Sequence, residues 1–171
     1  EKQGVKQIVY LGGIANDKNR SQHLASRMNT GAQLASTSVP VLELRAGIII
    51  GSGSASFEML RHLTHRLPIM TTPKWVKNRT QPIAIRDVLY FLIQAAKLEK
   101  TTSGIYDMGG PEVLTYENMM QKFAKISKLP RRIIIKVPVL TPSLSSLWIG
   151  FVTPVPTTLA RPLVESLISE V

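Results

Sequence analysis

The feature that most constrains this chain is the regular alternation of apolar, strand-like runs with segments of helical periodicity. The strand-like runs are 5–11, 40–50, 82–85, 104–109 and 131–137. The helical patterns are 22–36, 55–66, 87–98 and 116–127, and Thr115 is a good N-cap for the last of them. Pro68 and Pro73 punctuate the segment that reaches Gln81, which we predict to be a loop. This alternation predicts an α/β fold with a parallel sheet, whose crossover connections place helices over both faces.

The run 40–50, PVLELRAGIII, is almost continuously apolar beyond Arg45 and is typical of a strand covered on both faces. Gly51-Ser-Gly-Ser follows it and leads into the helix predicted at 55–66. This turn is one residue short of the dinucleotide-binding pattern G-x-G-x-x-G, because Ser56 replaces the third Gly. We interpret it as a tight strand-to-helix turn that lines a cleft, and anion binding at the helix start remains an alternative.

The 171 residues include 21 Lys and Arg against 11 Asp and Glu, which gives a formal net charge of +10. Such a charge raises the possibility of nucleic-acid binding. The basic residues are scattered, however, and no recognition-helix or zinc-finger spacing occurs. We therefore favour a solvated basic surface and keep nucleic-acid binding as the less favoured alternative.

The sequence contains no cysteine, which excludes disulfides, thiolate metal sites and cysteine nucleophiles. His62 and His65 lie three residues apart on a predicted helix, but Arg61 and Arg66 flank them and no third ligand is apparent. No metal site is expected. The first residues, EKQGVKQIVYL, do not read as a signal peptide. Together with the lack of cysteine, this favours a cytoplasmic location.

Residues 137–160 carry no charged side chain and are long enough to span a bilayer in principle. Four prolines interrupt this stretch and each would break the backbone pairing that a membrane helix requires. They are Pro138, Pro142, Pro154 and Pro156. We expect a buried helical hairpin broken by prolines, and no membrane association.

Five blocks of the sequence occur in a recognisable order. They are GVKQIVYLGG, HLASR, PVLELRAGIIIGSGSASFEML, RTQPIAIRDVL and GIYDMGGPEVLTYENMM. Together they resemble the atypical and extended branch of the short-chain dehydrogenase/reductase superfamily, and most of all its NmrA-like and nucleoside-diphosphate-sugar-epimerase-like NAD(P)-binding proteins. The resemblance covers essentially the whole chain. It implies the C-terminal half of a doubly wound, Rossmann-like parallel sheet with helices on both faces, plus a smaller helical C-terminal part.

The resemblance also implies a division of the chain. Residues 1–110 would form the C-terminal half of the NAD(P)-binding domain, with a substrate-side insert near 67–85, and residues 111–171 a smaller substrate-side segment that leads to a further domain. The family's Gly-rich phosphate loop would lie upstream of Glu1. Such a piece would leave open a sheet edge that normally pairs, so we expect self-association or a partner chain. We do not expect this chain alone to retain NAD or NADP.

In the family, catalysis uses a Ser or Thr at the end of the fifth strand and Tyr-x-x-x-Lys on the next helix. By the resemblance, Gly13 takes the position of the Ser or Thr, and His23 and Arg27 take those of Tyr and Lys. Arg27 can hydrogen-bond a ribose hydroxyl but cannot shuttle a proton, because a guanidinium group does not give up its proton in proteins. His23, with an ordinary pKa of about 6.5, can act as acid or base. His23 and Arg27 are therefore the catalytic candidates.

The remaining candidates also follow from the resemblance. The cofactor-binding set is Gly12, Gly13, Arg27, Ala46, Gly47 and Ile48. The substrate-binding set is Phe57, Trp75, Arg79 and Gln81. The implied function is an NAD(P)-binding oxidoreductase or epimerase-like enzyme with an unknown small substrate. A non-catalytic, NmrA-like cofactor sensor is the alternative, favoured by the loss of the Ser and the Tyr.

Overall fold

The computed structural model describes residues 3–14, 21–98 and 102–136, except for the side chain of His23. Residues 137–171, including the predicted proline-broken hairpin, lie outside the described residues. The helices are α1 (Gln22–Ala35), α2 (Ala55–Arg66), α3 (Ile85–Ala96) and α4 (Tyr116–Ile126), with a short 3-10 helix at Lys74–Lys77. The strands are β1 (Ile8–Gly13), β2 (Val41–Ala46), β3 (Ile49–Ile50), β4 (Ile69–Thr72), β5 (Arg79–Thr80), β6 (Ile83–Ala84), β7 (Gly104–Met108), β8 (Leu114–Thr115) and β9 (Ile133–Lys136).

The main sheet has three parallel strands in the order β1-β2-β7. Ile8 pairs with Val41, and Leu42 pairs with Gly104. Each strand is therefore added on the same side of the one before it, as in one half of a doubly wound sheet. The predicted parallel α/β architecture is confirmed.

Helices cover both faces of this sheet. On one face, Leu42 and Leu44 of β2 form a buried cluster with Val88 and Ala95 of α3. Glu43 points to the other face, where its carboxylate meets Gly31 of α1. Because side chains alternate along a strand, α1 and α3 lie on opposite faces. None of the described helices has the length and hydropathy that a bilayer crossing requires.

A second lobe forms where α2 packs against α4. Its buried side chains include Met59, Leu63, Met119 and Met120, with Val76 of the 3-10 helix at its centre. Two small sheets flank it: parallel β4-β9 and antiparallel β5-β8. The helix α2 lies on the first side of the division predicted at residue 110, and α4 lies on the second. The second lobe thus contains helices from both predicted parts of the chain, 1–110 and 111–171. The division at residue 110 stays a prediction.

Local side chains fix where the helices begin. The Ser54 hydroxyl accepts a hydrogen bond from the N–H of Phe57 at 3.4 Å, and that of Thr115 accepts one from Asn118 at 3.1 Å. Thr115 was the predicted N-cap of α4, and this prediction is confirmed. The turn before α2 closes with a hydrogen bond from the N–H of Ser54 to the carbonyl of Gly51 at 3.2 Å, as expected for a tight turn.

Two predictions about local structure were wrong. The strand predicted at 40–50 is broken, because β2 ends at Ala46 and Ile49–Ile50 pairs with Ile83–Ala84 in a separate sheet. The break follows from Gly47, where the chain leaves the main sheet to pass beside Thr80. The segment from Pro68 to Gln81, predicted as a loop, contains β4, the 3-10 helix and β5. The strands that pair with β4 and β5 are distant in sequence, so the local pattern did not reveal them.

Candidate functional site

The carboxyl edge of the main sheet is the candidate site. The three strands are parallel and end at Gly13, Ala46 and Met108, so these ends meet at one edge. Beyond β1, the N–H of Ile14 donates to the carbonyl of Ala46 at 3.1 Å, which continues the ladder to the edge. In open α/β sheets, ligands bind in the crevice outside the carboxyl ends of the strands.

Gly13 and Arg27 lie together at this edge, as the resemblance implied. A Cβ atom placed on Gly13 would lie 3.2 Å from Cδ2 of Leu24 and 3.6 Å from Cδ of Arg27. The hydroxyl of Tyr10 donates to the carbonyl of Arg27 at 3.1 Å, which ties α1 to β1. A side chain at position 13 would therefore require the end of Leu24 to shift by a few tenths of an ångström. His23 lies one turn before Arg27 on α1, and its side chain is outside the described residues.

Position 12 requires a glycine because Glu43 fills the space beside it. A Cβ atom on Gly12 would collide with Oε1 of Glu43, and one on Gly31 would lie 2.5 Å from Oε2 of the same carboxylate. Glu43 is only 7% exposed. The carboxylate is thus held between β1 and α1, and internal packing accounts for Gly12 without a ligand. The sequence analysis missed Glu43, whose signal was an acidic residue inside an apolar strand.

Gly47 lies beside a buried hydroxyl. A Cβ atom on Gly47 would lie 3.2 Å from Oγ1 of Thr80. Thr80 is completely buried, and its Oγ1 has no hydrogen-bond partner within the described part of the chain. Leaving a buried polar group unpaired costs about 1–3 kcal/mol. Thr80 was not predicted, and its neighbour Gln81 in RTQPIAIRDVL was the nearest sequence signal.

Gln81 joins two loops at the same edge. Its Nε2 donates to the carbonyl of Gly110 at 2.5 Å, and a Cβ atom on Gly109 would lie 2.6 Å from its Cδ. The N–H of Gly110 donates to the carbonyl of Pro82 at 3.1 Å. Gln81 therefore holds the loop after β7 against the segment before β6, and the predicted substrate residue lies at the candidate site.

The other predicted substrate residues lie in the second lobe. The rings of Phe57 and Phe123 pack edge to face with their centroids 6.1 Å apart. The rings of Trp75 and Tyr116 pack in the same way, with centroids 5.7 Å apart. Nε1 of Trp75 is buried and has no hydrogen-bond partner among the described residues. Arg79 is exposed on β5, opposite Thr115. The described contacts thus join Phe57 and Trp75 to α4 and do not join them to Gly13 or Arg27.

His62 belongs to a charge cluster on α2. Its Nε2 lies 3.5 Å from Oε2 of Glu58 and 3.1 Å from Nη2 of Arg61. Burial lowers the pKa of His62 below its usual range, and the nearby charges of Arg61 and Arg66 lower it further, while Glu58 opposes them. Within the described ranges, no three His, Cys, Asp or Glu side chains lie close enough to hold a metal ion.

A groove of about 430 Å³ lies away from this edge, against the α1 face of the sheet. Met28 and Ala32 of α1 form one wall, and Val41 and Ile105 form the floor. Pro40 and Gly104, near the amino ends of β2 and β7, also line it. The groove therefore lies towards the amino ends of the strands, opposite the candidate site.

No protein-family model matches this chain, and no curated protein matches it. Solved structures do match it. An NADPH-dependent quinone oxidoreductase from Escherichia coli is similar with a TM-score of 0.73 at 17% identity, over 96% of this chain and 56% of that one. A nucleoside-diphosphate-sugar epimerase from Staphylococcus aureus is similar with a TM-score of 0.66 at 15% identity, over 98% of this chain and 58% of that one. The dTDP-4-dehydrorhamnose reductase from Bacillus anthracis, in complex with NADP, is similar with a TM-score of 0.59 at 12% identity, over 78% of this chain and 51% of that one.

These likenesses show the fold. The chain has the Rossmann-like fold of NAD(P)-binding reductases and epimerases, as the resemblance implied. It spans between 51% and 58% of the length of the three structures above.

The residues at the carboxyl edge fit part of a nicotinamide cofactor. Arg27 is half-buried beside Gly13, and the unsatisfied Thr80 hydroxyl lies beside Gly47. These are hydrogen-bonding groups at the edge where such a ligand binds. The sequence contains no G-x-G-x-x-G.

Proposed function

We propose that this chain forms the nicotinamide-facing and substrate-facing half of an NAD(P) site, in an oxidoreductase or epimerase-like protein that acts on an unknown small molecule. The observation that carries the proposal is the carboxyl edge, where Arg27 lies beside Gly13 and the unpaired hydroxyl of Thr80 lies beside Gly47. The Rossmann-like fold supports it. The lack of cysteine favours a cytoplasmic location.

Each residue at the edge has a definite task in this proposal. The bound cofactor supplies hydride transfer. Arg27 donates hydrogen bonds to a ribose hydroxyl, since a guanidinium carries five N–H donors and no acceptor. The backbone of Ala46, Gly47 and Ile48 would hold the nicotinamide end of the cofactor. His23 gives or takes the proton, since its ordinary pKa of about 6.5 suits both roles.

The substrate lies between the carboxyl edge and the second lobe in this proposal. Gln81 anchors that region by its hydrogen bond to Gly110. Phe57 and Trp75 supply apolar surface, and Arg79, which is exposed, supplies a positive charge for an anionic group.

A non-catalytic cofactor sensor is the second candidate function. The observation that favours it is at Gly13, which has no hydroxyl and where Leu24 leaves little room for a side chain, because a Cβ atom there would lie 3.2 Å from Cδ2 of Leu24. Without that hydroxyl, the site keeps groups that bind a cofactor and lacks a full proton relay. In this case binding of the cofactor changes the surface that the protein offers to a partner.

The test is ligand-observed NMR with NADPH and with NADH, a method that detects weak binding. The expected result is weak saturation transfer to the nicotinamide and ribose protons, lost in Arg27→Met and kept in the control Arg131→Met. Arg131 is exposed in the second lobe and keeps the change in charge the same. Equal binding by both variants would overturn the proposed site.

The same samples separate an enzyme from a sensor. An enzyme that uses His23 loses turnover in His23→Ala and keeps cofactor binding. A sensor shows no turnover in any variant and binds the cofactor as well after His23→Ala as before.

A further inference from the structure

The groove beside α1 lies on a different part of the sheet from the candidate site. The helix α1, the connection that follows it, β2 and the beginning of β7 line this groove, and β1, which is described throughout, contributes no residue. Val41, Glu43 and Arg45 of β2 line it together, because alternate residues of a strand share a face. The groove therefore lies on the β2–β7 side of α1, and its walls do not depend on what lies beyond β1.

Most side chains that line the groove are apolar. Its volume of about 430 Å³ falls within the range of about 300–1,000 Å³ that is typical of small-molecule pockets. Such pockets combine apolar walls with a few polar groups that orient the ligand. The apolar side chains are those of Met28, Ala32, Ala35, Val39, Val41 and Ile105. These walls suit a ligand with an aliphatic or aromatic body.

Glu43 supplies a negative charge to this apolar groove. The residue is only 7% exposed, and its two oxygens lie against Gly12 and Gly31, which have no side chain to offer. None of the donors in the described ranges forms a hydrogen bond with these oxygens. Arg45, the next residue of β2 on the same face, instead donates through Nε to Oδ1 of Asp107 at 2.8 Å.

A buried carboxylate without a partner is costly, because it loses its hydration and gains no hydrogen bond in return. The groove gives access to Glu43 from solvent, since the residue is part of its lining. The arrangement therefore favours a cationic group that enters through the groove and donates hydrogen bonds to the carboxylate. Charge-assisted hydrogen bonds of this kind are stronger than those between neutral groups.

We propose that the groove binds a small organic amine. Its protonated nitrogen pairs with Glu43, and its apolar body lies against Met28, Ala32 and Ile105. The inference does not rest on the proposed cofactor site, because the groove lies towards the opposite ends of the strands. It shares no lining residue with the set proposed for the cofactor.

The charge of the whole chain makes selectivity for the amine informative. With a formal net charge of +10, general electrostatic attraction favours anions over cations. Three probes share one apolar body and differ in their head group: 4-phenylbutylamine, 4-phenylbutanol and 4-phenylbutyrate. We expect the amine to bind at least about tenfold more tightly than the alcohol or the carboxylate, because it alone pairs with Glu43.

Methionine methyl groups labelled with carbon-13 report binding by NMR at a known place. The chain has six methionines, and Met28 is the one that lines the groove. Met59, Met70, Met119 and Met120 lie in the core of the second lobe, and Met108 lies in that of the main sheet. Titration with the amine should shift the Met28 signal to saturation and leave the other five nearly unchanged. The variant Met28→Leu assigns the signal.

Glu43→Gln tests the charge, because glutamine keeps the shape of the side chain. It should weaken binding of the amine at least about tenfold and leave binding of the alcohol unchanged. Glu117→Gln is the matched control, since it removes an equal charge in the second lobe, where Glu117 pairs with Lys136 at 2.9 Å. Circular dichroism verifies that each variant is folded.

Ala32→Phe provides a test that leaves Glu43 in place. Ala32 is exposed on α1 and lines the groove, so a phenyl ring there should fill it and weaken binding of the amine and the alcohol alike. A Met28 signal that does not respond to the amine would overturn the proposal. Binding of the carboxylate as tight as that of the amine would also overturn it, as would full binding of the amine by Glu43→Gln or Ala32→Phe.

Discussion

Glu43 is packed between Gly12 and Gly31. We therefore predict that Gly31→Ala lowers the free energy of unfolding when Glu43 is present and raises it when Glu43 is replaced by alanine. In Gly31→Ala, the new Cβ atom would lie 2.5 Å from Oε2 of Glu43. An ordinary contact between carbon and oxygen is about 3.3 Å or more, so the neighbours must separate by roughly 0.8 Å. The carboxylate cannot retreat towards β1, because Gly12 already lies against its other oxygen.

Two opposing effects set the magnitude. Overpacking of a tight interior costs about 1–3 kcal/mol. Replacing a glycine inside a helix by alanine stabilises that helix by about 1 kcal/mol. With Glu43 present, we expect Gly31→Ala to lower the free energy of unfolding by up to about 2 kcal/mol. In the Glu43→Ala background the clash is absent, and the same substitution should raise it by about 1 kcal/mol.

Urea denaturation followed by circular dichroism measures the four members of this double-mutant cycle. Ala32→Gly is the control, because Ala32 is the exposed neighbour of Gly31 and reports helix propensity alone. It should cost about 1 kcal/mol in both backgrounds. If Gly31→Ala stabilises the protein equally with and without Glu43, the carboxylate does not fill the space beside Gly31 and the reasoning fails.

Three further predictions concern other parts of the molecule. Thr80→Val removes an unsatisfied buried hydroxyl, so the free energy of unfolding in urea should stay the same or rise by up to about 1 kcal/mol. The same variant should weaken the NMR signals of bound NADPH. His62 has a lowered pKa in the folded chain, so the unfolded chain binds a proton first as the pH falls. Stability should therefore decline from about pH 6.5 downward, and less steeply in His62→Gln, as seen in urea midpoints measured across that range. Ser54→Ala removes the cap of α2 and should cost about 1 kcal/mol in thermal unfolding, whereas an exposed Ser36→Ala should cost little.

Most helices and main-sheet strands could be predicted because their signals are local. The helix α2 was predicted with the observed bounds, from the turn at Gly51 and the pattern that follows it. The strands β4 and β5 could not be predicted in this way, because each is short and pairs with residues far along the chain, as Ile69 does with Ile133. The break at Gly47 likewise depends on contact with Thr80.

In the candidate site, too, some features could be predicted from the sequence and others depend on contacts between distant residues. The family resemblance implied that Gly13 and Arg27 lie close together, and a Cβ atom on Gly13 would lie 3.6 Å from Cδ of Arg27, while their roles stay predictions. Glu43 and Thr80 were missed, since their importance lies in what surrounds them. Glu43 matters because two glycines that are distant in sequence close upon it, and no pattern within β2 could show this.

The route of the chain between β2 and β7 has a consequence for folding. These neighbouring strands are joined by the ion pair of Arg45 and Asp107, which are 62 residues apart in sequence. The whole intervening segment, which holds α2, α3 and the strands β3 to β6, must become compact before β7 can add to β2, whereas β1, α1 and β2 form a short continuous unit. Closing a long loop is entropically costly and slow compared with local pairing. The third strand is therefore expected to dock late, and the rate of its docking depends on how quickly the segment from β3 to α3 folds.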